Sequence, residues 1–125
     1  MQSRYRLKSN GSFNYIYRRG ESVSGKGMVL IRAKTRLPMK VGFSVSKKVG
    51  KSVVRNKAKR RLKESFRSLI DRVDGGYNYV VVARKAIAEM DFHEIKAELT
   101  LLLDRSGALK RADGDKNEKS GDTAD

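Results

Sequence analysis

VGFSVSKKVGKSVVRNKAKRRLKESFR, residues 41–67, changes its period part-way along, and that change decides the fold. Val41, Phe43 and Val45 alternate with Gly42, Ser44 and Ser46, the period of two that marks a half-buried strand. From about Val53 to Val73 the period is helical instead. Val54, Ala58, Leu62, Phe66, Leu69, Ile70 and Val73 form one apolar stripe. A strand thus feeds a long amphipathic helix through a short basic connection.

The flanking segments follow from this anchor. Upstream, MVLIRAK at 28–34 suits a strand, and TRLPMK around Pro38 suits a turn, so the two strands are expected to pair as a hairpin. One more short strand fits between Gly20 and Met28. Earlier still, Ser9 or Asn10 is placed to cap a short helix ending by Gly20, with Phe13, Ile16 and Tyr17 on one face. Downstream, Asp74-Gly75-Gly76 stops the long helix. Tyr77 to Ala83 is a near-continuous apolar run, expected as a central strand covered on both faces. Asp91 with Glu94 resembles a capping pair for a last helix that turns Phe92, Ile95, Leu99, Leu102 and Leu103 inward. The order α-β-β-(β)-α-β-α predicts an α+β fold, a two-layer sandwich of helices against a small sheet. Residues 1–109 read as a single domain and residues 110–125 as a disordered polar tail.

The charge is large and uneven. The chain of 125 residues has a net charge of +15 and a pI near 10.3. Residues 1–70 carry twenty lysines and arginines against Glu21 and Glu64, whereas residues 71–125 carry nine against twelve acids. Such a balance implies a polyanionic partner, nucleic acid or an acidic membrane surface. Cysteine is absent, which excludes disulfides and thiolate metal sites. No apolar run has the length of a signal peptide or a membrane span, so the chain reads as soluble and cytoplasmic.

Ten of the lysines and arginines lie between Lys47 and Arg67, with Glu64 the only acid among them. With Val54 at zero and about 100° per residue, Lys63, Asn56, Arg67 and Arg60 fall between about 180° and 240°, with Lys59 on the border near 140°. A row of cations spaced near one turn follows a phosphate backbone, and an Asn amide among them can donate and accept at sugars or base edges. Arg55 falls near 100°, beneath the apolar stripe. Either it lies in the first turn and overhangs the sheet edge, or the helix starts later. A plain solvated face is the alternative for any basic helix, but the clustering, the scarcity of acids and the embedded Asn favour a binding surface. Lipid is disfavoured because the apolar side is needed to cover the sheet. Gly50-Lys51-Ser52 matches only a fragment of a phosphate-binding loop, since Val45 stands where that pattern needs glycine. Backbone N–H groups at a helix start beside Lys47, Lys48 and Lys51 nevertheless favour a phosphate.

Phe13 and Tyr17 are one turn apart and offer rings on which single-stranded bases stack, or else they pack the first helix on the sheet. No catalytic set is evident. His93 is the one histidine, and the carboxylates show no spaced pair or trio suited to two metal ions.

The run Gly42-Phe43-Ser44-Val45-Ser46-Lys47-Lys48-Val49-Gly50, followed by Arg55-Asn56-x-x-Lys59-Arg60-x-x-Lys63-Glu64, closely resembles the signature of the bacterial ribonuclease P protein subunit. Arg6-Leu7-Lys8, Phe13 and Tyr17-x-x-Gly20 look like that family's first helix, and Val80-Val81-Val82-Ala83-Arg84-Lys85 like its late central strand. The resemblance spans roughly residues 4–109. It implies a subunit that binds a large catalytic RNA and assists removal of the 5′ leader of precursor tRNA. Hydrolysis would use Mg²⁺ held on the RNA, with no cofactor on the protein and no small-molecule substrate or membrane. It further implies a left-handed βαβ crossover. By position, Arg55, Asn56, Lys59, Arg60 and Lys63 would contact the catalytic RNA, within an RNA-facing set that includes Lys47, Lys48, Lys51 and Arg67. Phe13 and Tyr17 would line a leader cleft together with Ile31, which stands where the family often has an aromatic. Lys51-Ser52 replaces a more usual small polar residue and Ala. Charge alone fits a structural RNA binder, such as a ribosomal protein, equally well; a nuclease acting by itself lacks its general base or metal ligands.

Overall fold

The computed structural model describes residues 5–7 and 10–110. The expected disordered tail beyond Lys110, the Ser9 cap and Lys8 lie outside the described residues. Seven elements follow in the expected order: α1 (Asn10–Arg19), β1 (Glu21–Ser24), β2 (Met28–Lys34), β3 (Val41–Ser44), α2 (Ser52–Leu69), β4 (Tyr77–Ala83) and α3 (Phe92–Arg105). Arg6 and Leu7, expected within the first helix, instead precede α1 as extended chain, where the Leu7 amide donates to the Val41 carbonyl at 2.9 Å.

The four strands are ordered β1-β2-β4-β3. The expected hairpin between 28–34 and 41–45 does not form. β2 pairs antiparallel with β1 on one edge and with β4 on the other, and β3 pairs parallel with β4. β4 therefore separates β2 from β3. Its residues explain why: Tyr79, Val80 and Val81 are fully buried and alternate between the two faces, so this strand needs neighbours on both edges and cover on both sides. The turn around Pro38 then spans the end of β4, where the Lys40 amide donates to Asn78 Oδ1 at 2.7 Å and the Tyr79 amide donates to the Lys40 carbonyl at 2.9 Å.

On one face, Met28, Leu30, Val41, Tyr79 and Val81 meet Leu62, Phe66, Leu69 from α2 and Ile95, Leu99, Leu102, Leu103 from α3 in the main core. Phe92, expected inward, is only half-buried, because it is the first residue of α3 and lies beside His93 at the surface. The capping box is present: the Glu94 amide donates to Asp91 Oδ1 at 2.8 Å and the Asp91 amide to Glu94 Oε1 at 2.9 Å. The Tyr79 hydroxyl, buried in this core, donates to the Asp74 carbonyl at 2.6 Å, and burial pushes its pKa up.

The other face carries a smaller cluster, Leu7, Ile16, Ala33 and Val80, with Phe13, Ile31 and Val82 half-buried at its border. Only α1 covers it. Phe13 rests over Gly42 of β3, and Gly20 rests against Ile31 and the Arg32 carbonyl of β2, so α1 lies across the strands. One short helix on a four-stranded face leaves sheet surface open along its flanks.

Candidate nucleic-acid interface

The cationic surface starts where β3 ends. Lys47–Val49 form a single 3₁₀ turn after Ser46, with Lys47 and Lys48 exposed and Val49 tucked into the core. Gly50 has φ 154°, a conformation that L side chains rarely adopt, and an added Cβ would also lie 3.1 Å from Val54. This glycine turns the chain directly into α2. Lys51 is the N-cap and makes no side-chain capping bond, unlike Asp91 of α3. The first N–H groups of α2 thus have no side-chain cap, and three exposed lysines crowd the positive end of the helix dipole. That arrangement is unfavourable for the isolated helix and favourable for an incoming phosphate.

Along α2, Asn56, Lys59, Arg60 and Arg67 are exposed and Lys63 is half-buried, whereas Ala58, Leu62 and Phe66 are buried, with Lys59 at the border between the two sides. The row expected from the helical wheel is therefore present. Arg55 lies in the first turn, since α2 begins at Ser52; it is half-buried, and its Nε is buried with no hydrogen-bond partner. Burial lowers the Lys63 pKa, and the neighbouring cations Lys59 and Arg6 lower it further. A bound phosphate would reverse that crowding. Arg6, matched above only as part of a first helix, is exposed and acts on Lys63 from the chain before α1. Arg67 differs from the others, because its Nη2 donates to Glu64 Oε1 at 2.6 Å on the exposed surface. Arg61 is structural: its Nη1 donates to the Met90 carbonyl at 2.8 Å.

The aromatic surface lies on the other side of the sheet but joins the same strand end. Phe13, Asn14 and Tyr17 of α1 and Phe43 and Ser44 of β3 line an open groove of about 370 Å³. The Phe13 and Tyr17 rings are 6.4 Å apart and tilted by 40°, with Tyr17 exposed. Ile31 is not among the residues lining this groove; it packs under the C-terminal end of α1 beside Gly20. Asn14, Phe43 and Ser44 are lining residues that sequence reasoning missed, because β3 reaches α1 only through the tertiary fold. Gly42 is what admits the Phe13 ring, since a Cβ there would lie 2.5 Å from Phe13 Cζ. Gly42→Ala is expected to lift α1 and cost about 1–3 kcal/mol in urea unfolding. An unchanged midpoint would mean that Phe13 does not rest on that glycine.

Among the described residues no three His, Asp or Glu side chains converge to hold a metal ion. No helix of the described residues is long and apolar enough to cross a membrane.

The family model for ribonuclease P matches residues 1–107. The chain belongs to the ribonuclease P protein family. It is 42% identical over 113 residues to the ribonuclease P protein component of Symbiobacterium thermophilum, covering 89% of this chain and 98% of that one. The ribonuclease P protein of Staphylococcus aureus superposes with a TM-score of 0.79 at 30% identity, over 85% of this chain and 98% of that one. That of Thermotoga maritima superposes at 0.73 with 31% identity, over 80% and 96%. As a ribonuclease P protein, the chain is a subunit of the endoribonuclease ribonucleoprotein that processes tRNA 5′ ends. The Arg-Asn-x-x-Lys-Arg row and the Ser-Lys-Lys turn before it lie within the matched residues, with Lys47, Lys48, Asn56, Lys59 and Arg60 exposed.

Proposed function

We propose that the row on α2, with Lys47, Lys48 and Lys51 at its start, docks on phosphates of the catalytic RNA, while the groove beside α1 holds the single-stranded 5′ leader of precursor tRNA. The observation that carries this reading is the meeting of the two surfaces at the end of β3. Ser44 lines the groove, and Lys47 and Lys48 follow it within four residues. One strand end therefore presents stacking rings on one side and a field of cations on the other.

Each part has a distinct task. Lys59, Arg60 and Lys63 screen the repulsion between two RNAs brought together. Asn56 has an amide that can donate and accept at sugar or base edges. Arg55, half-buried in the first turn of α2, adds its charge to the field at the helix start. The side chains described do not fit a metal cage of their own. Mg²⁺ belongs to the RNA in this reading and supplies the hydrolysis there; the protein positions and screens. Its place is the cytoplasm, with precursor tRNA.

Phe13→Ala and Tyr17→Ala each test the groove. Base stacking is worth about 1–3 kcal/mol per base, so each variant is expected to weaken holoenzyme binding of precursor tRNA about fivefold or more. Affinity for leaderless mature tRNA should stay unchanged. Equal losses on both RNAs would remove the groove from leader binding and leave a general RNA scaffold.

A further inference from the structure

Helix α1 has a second flank. Stepping about 100° per residue from the buried Ile16, Phe13 and Tyr17 fall about 60° and 100° to one side. Arg19 and Tyr15 fall by the same amounts to the other. Under that far flank lies a larger open groove, about 520 Å³, bounded by Tyr15, Arg19, Glu21, Arg32, Lys34 and Tyr77. Tyr15, Arg19 and Lys34 are exposed. The Arg32 guanidinium sits over the Tyr77 ring, 4.2 Å from its centroid. Its contact with Glu21 is long, Nη2 to Oε1 at 3.4 Å, and its Nε is buried and has no partner among the described residues. Glu21 itself is largely exposed, so it holds Arg32 weakly. The groove repeats the chemistry of the first one, rings beside cations, and lies outside every surface described above.

We propose that this groove is a second binding site for single-stranded RNA, and that it takes the upstream part of a long leader after the strand rounds the C-terminal end of α1. The proposal rests on the leader reading of the first groove. The route is short and positively charged. A helix is about 10–12 Å across, and the last turn of α1 carries Arg18 and Arg19, both exposed. Tyr15 offers a face for a base, and Arg19 and Lys34 offer phosphate contacts. An acidic peptide would use the cations but leave the ring faces idle, so RNA is the better fit.

The test uses reconstituted holoenzyme and precursor tRNAs with leaders of about five and about twelve nucleotides, lengths within the range a single-strand platform accommodates. Tyr15→Ala and Lys34→Ala, both at exposed positions, are expected to weaken binding of the long-leader substrate about fivefold and leave the short-leader substrate unchanged. Tyr17→Ala should weaken both. Unchanged affinity for both leaders in the Tyr15 and Lys34 variants, with the Tyr17 effect intact, would overturn the second groove alone; that is also the result if the groove takes a protein. A Tyr17 variant that loses affinity for leadered and leaderless RNA to the same extent would overturn the first reading, and this one with it.

Discussion

Replacing Lys59, Arg60 and Lys63 together by alanine is expected to flatten the salt dependence of RNA binding by about 2–3 in the log–log slope. Each phosphate contact releases counterions, and each one lost removes roughly 0.7–0.9 from that slope. None of the three is buried in the core, and Lys59 and Arg60 are exposed, so the fold should survive. Burial lowers the Lys63 pKa, and its neighbours Lys59 and Arg6 lower it further. Affinity should converge with that of the natural protein at high salt, where electrostatics is screened. Arg105→Ala, at the exposed end of α3, provides the control and should leave the slope alone. If the triple variant keeps its slope, the row does not face RNA phosphates.

The largest effect on stability is expected from Phe66→Ala, a loss of about 3–5 kcal/mol. Phe66 is completely buried on α2. Its ring meets Phe43 of β3 edge-on with centroids 6.0 Å apart, and Tyr79 of β4 at 5.8 Å. Truncation therefore removes both transfer energy and two aromatic contacts, and it leaves a cavity between the helix and the two parallel strands. A domain of this size has about 5–15 kcal/mol in total, so the variant should unfold at much lower urea with an unchanged m-value. Because Phe66 joins α2 to the strand end from which both binding surfaces start, RNA affinity should fall only where unfolding begins. A loss below about 1 kcal/mol would contradict the packing described.

The difference between what the residues announced and what they concealed is physical. Period and caps are local, and they placed α2, the Asp91–Glu94 capping box and the strands within a few residues. Strand adjacency is not local. TRLPMK looked like a hairpin turn because its length and its Pro suit one, yet β4 lies between the strands it joins. The clue was present in the doubly buried Tyr77–Ala83 run, since a central strand must claim two neighbours. Lys59, Arg60 and Asn56 were legible because a helix converts spacing into a face. Arg55 was ambiguous on the wheel and resolves as a first-turn residue, half-buried. The groove was half legible: Phe13 and Tyr17 are one turn apart on α1, whereas Phe43 and Ser44 join them only through the parallel pairing of β3 with β4 and the crossing of α1 over Gly42. Arg6 joins the cations around Lys63 through tertiary placement alone.

The most direct test is cleavage of a precursor tRNA at low Mg²⁺ by a bacterial ribonuclease P RNA, with this protein, without it, and with the protein alone. Cleavage in the combined reaction only is the predicted result, with the protein as the positioning subunit and the chemistry on the RNA. Cleavage by the protein alone, or no gain when it is added to the RNA, would contradict the account.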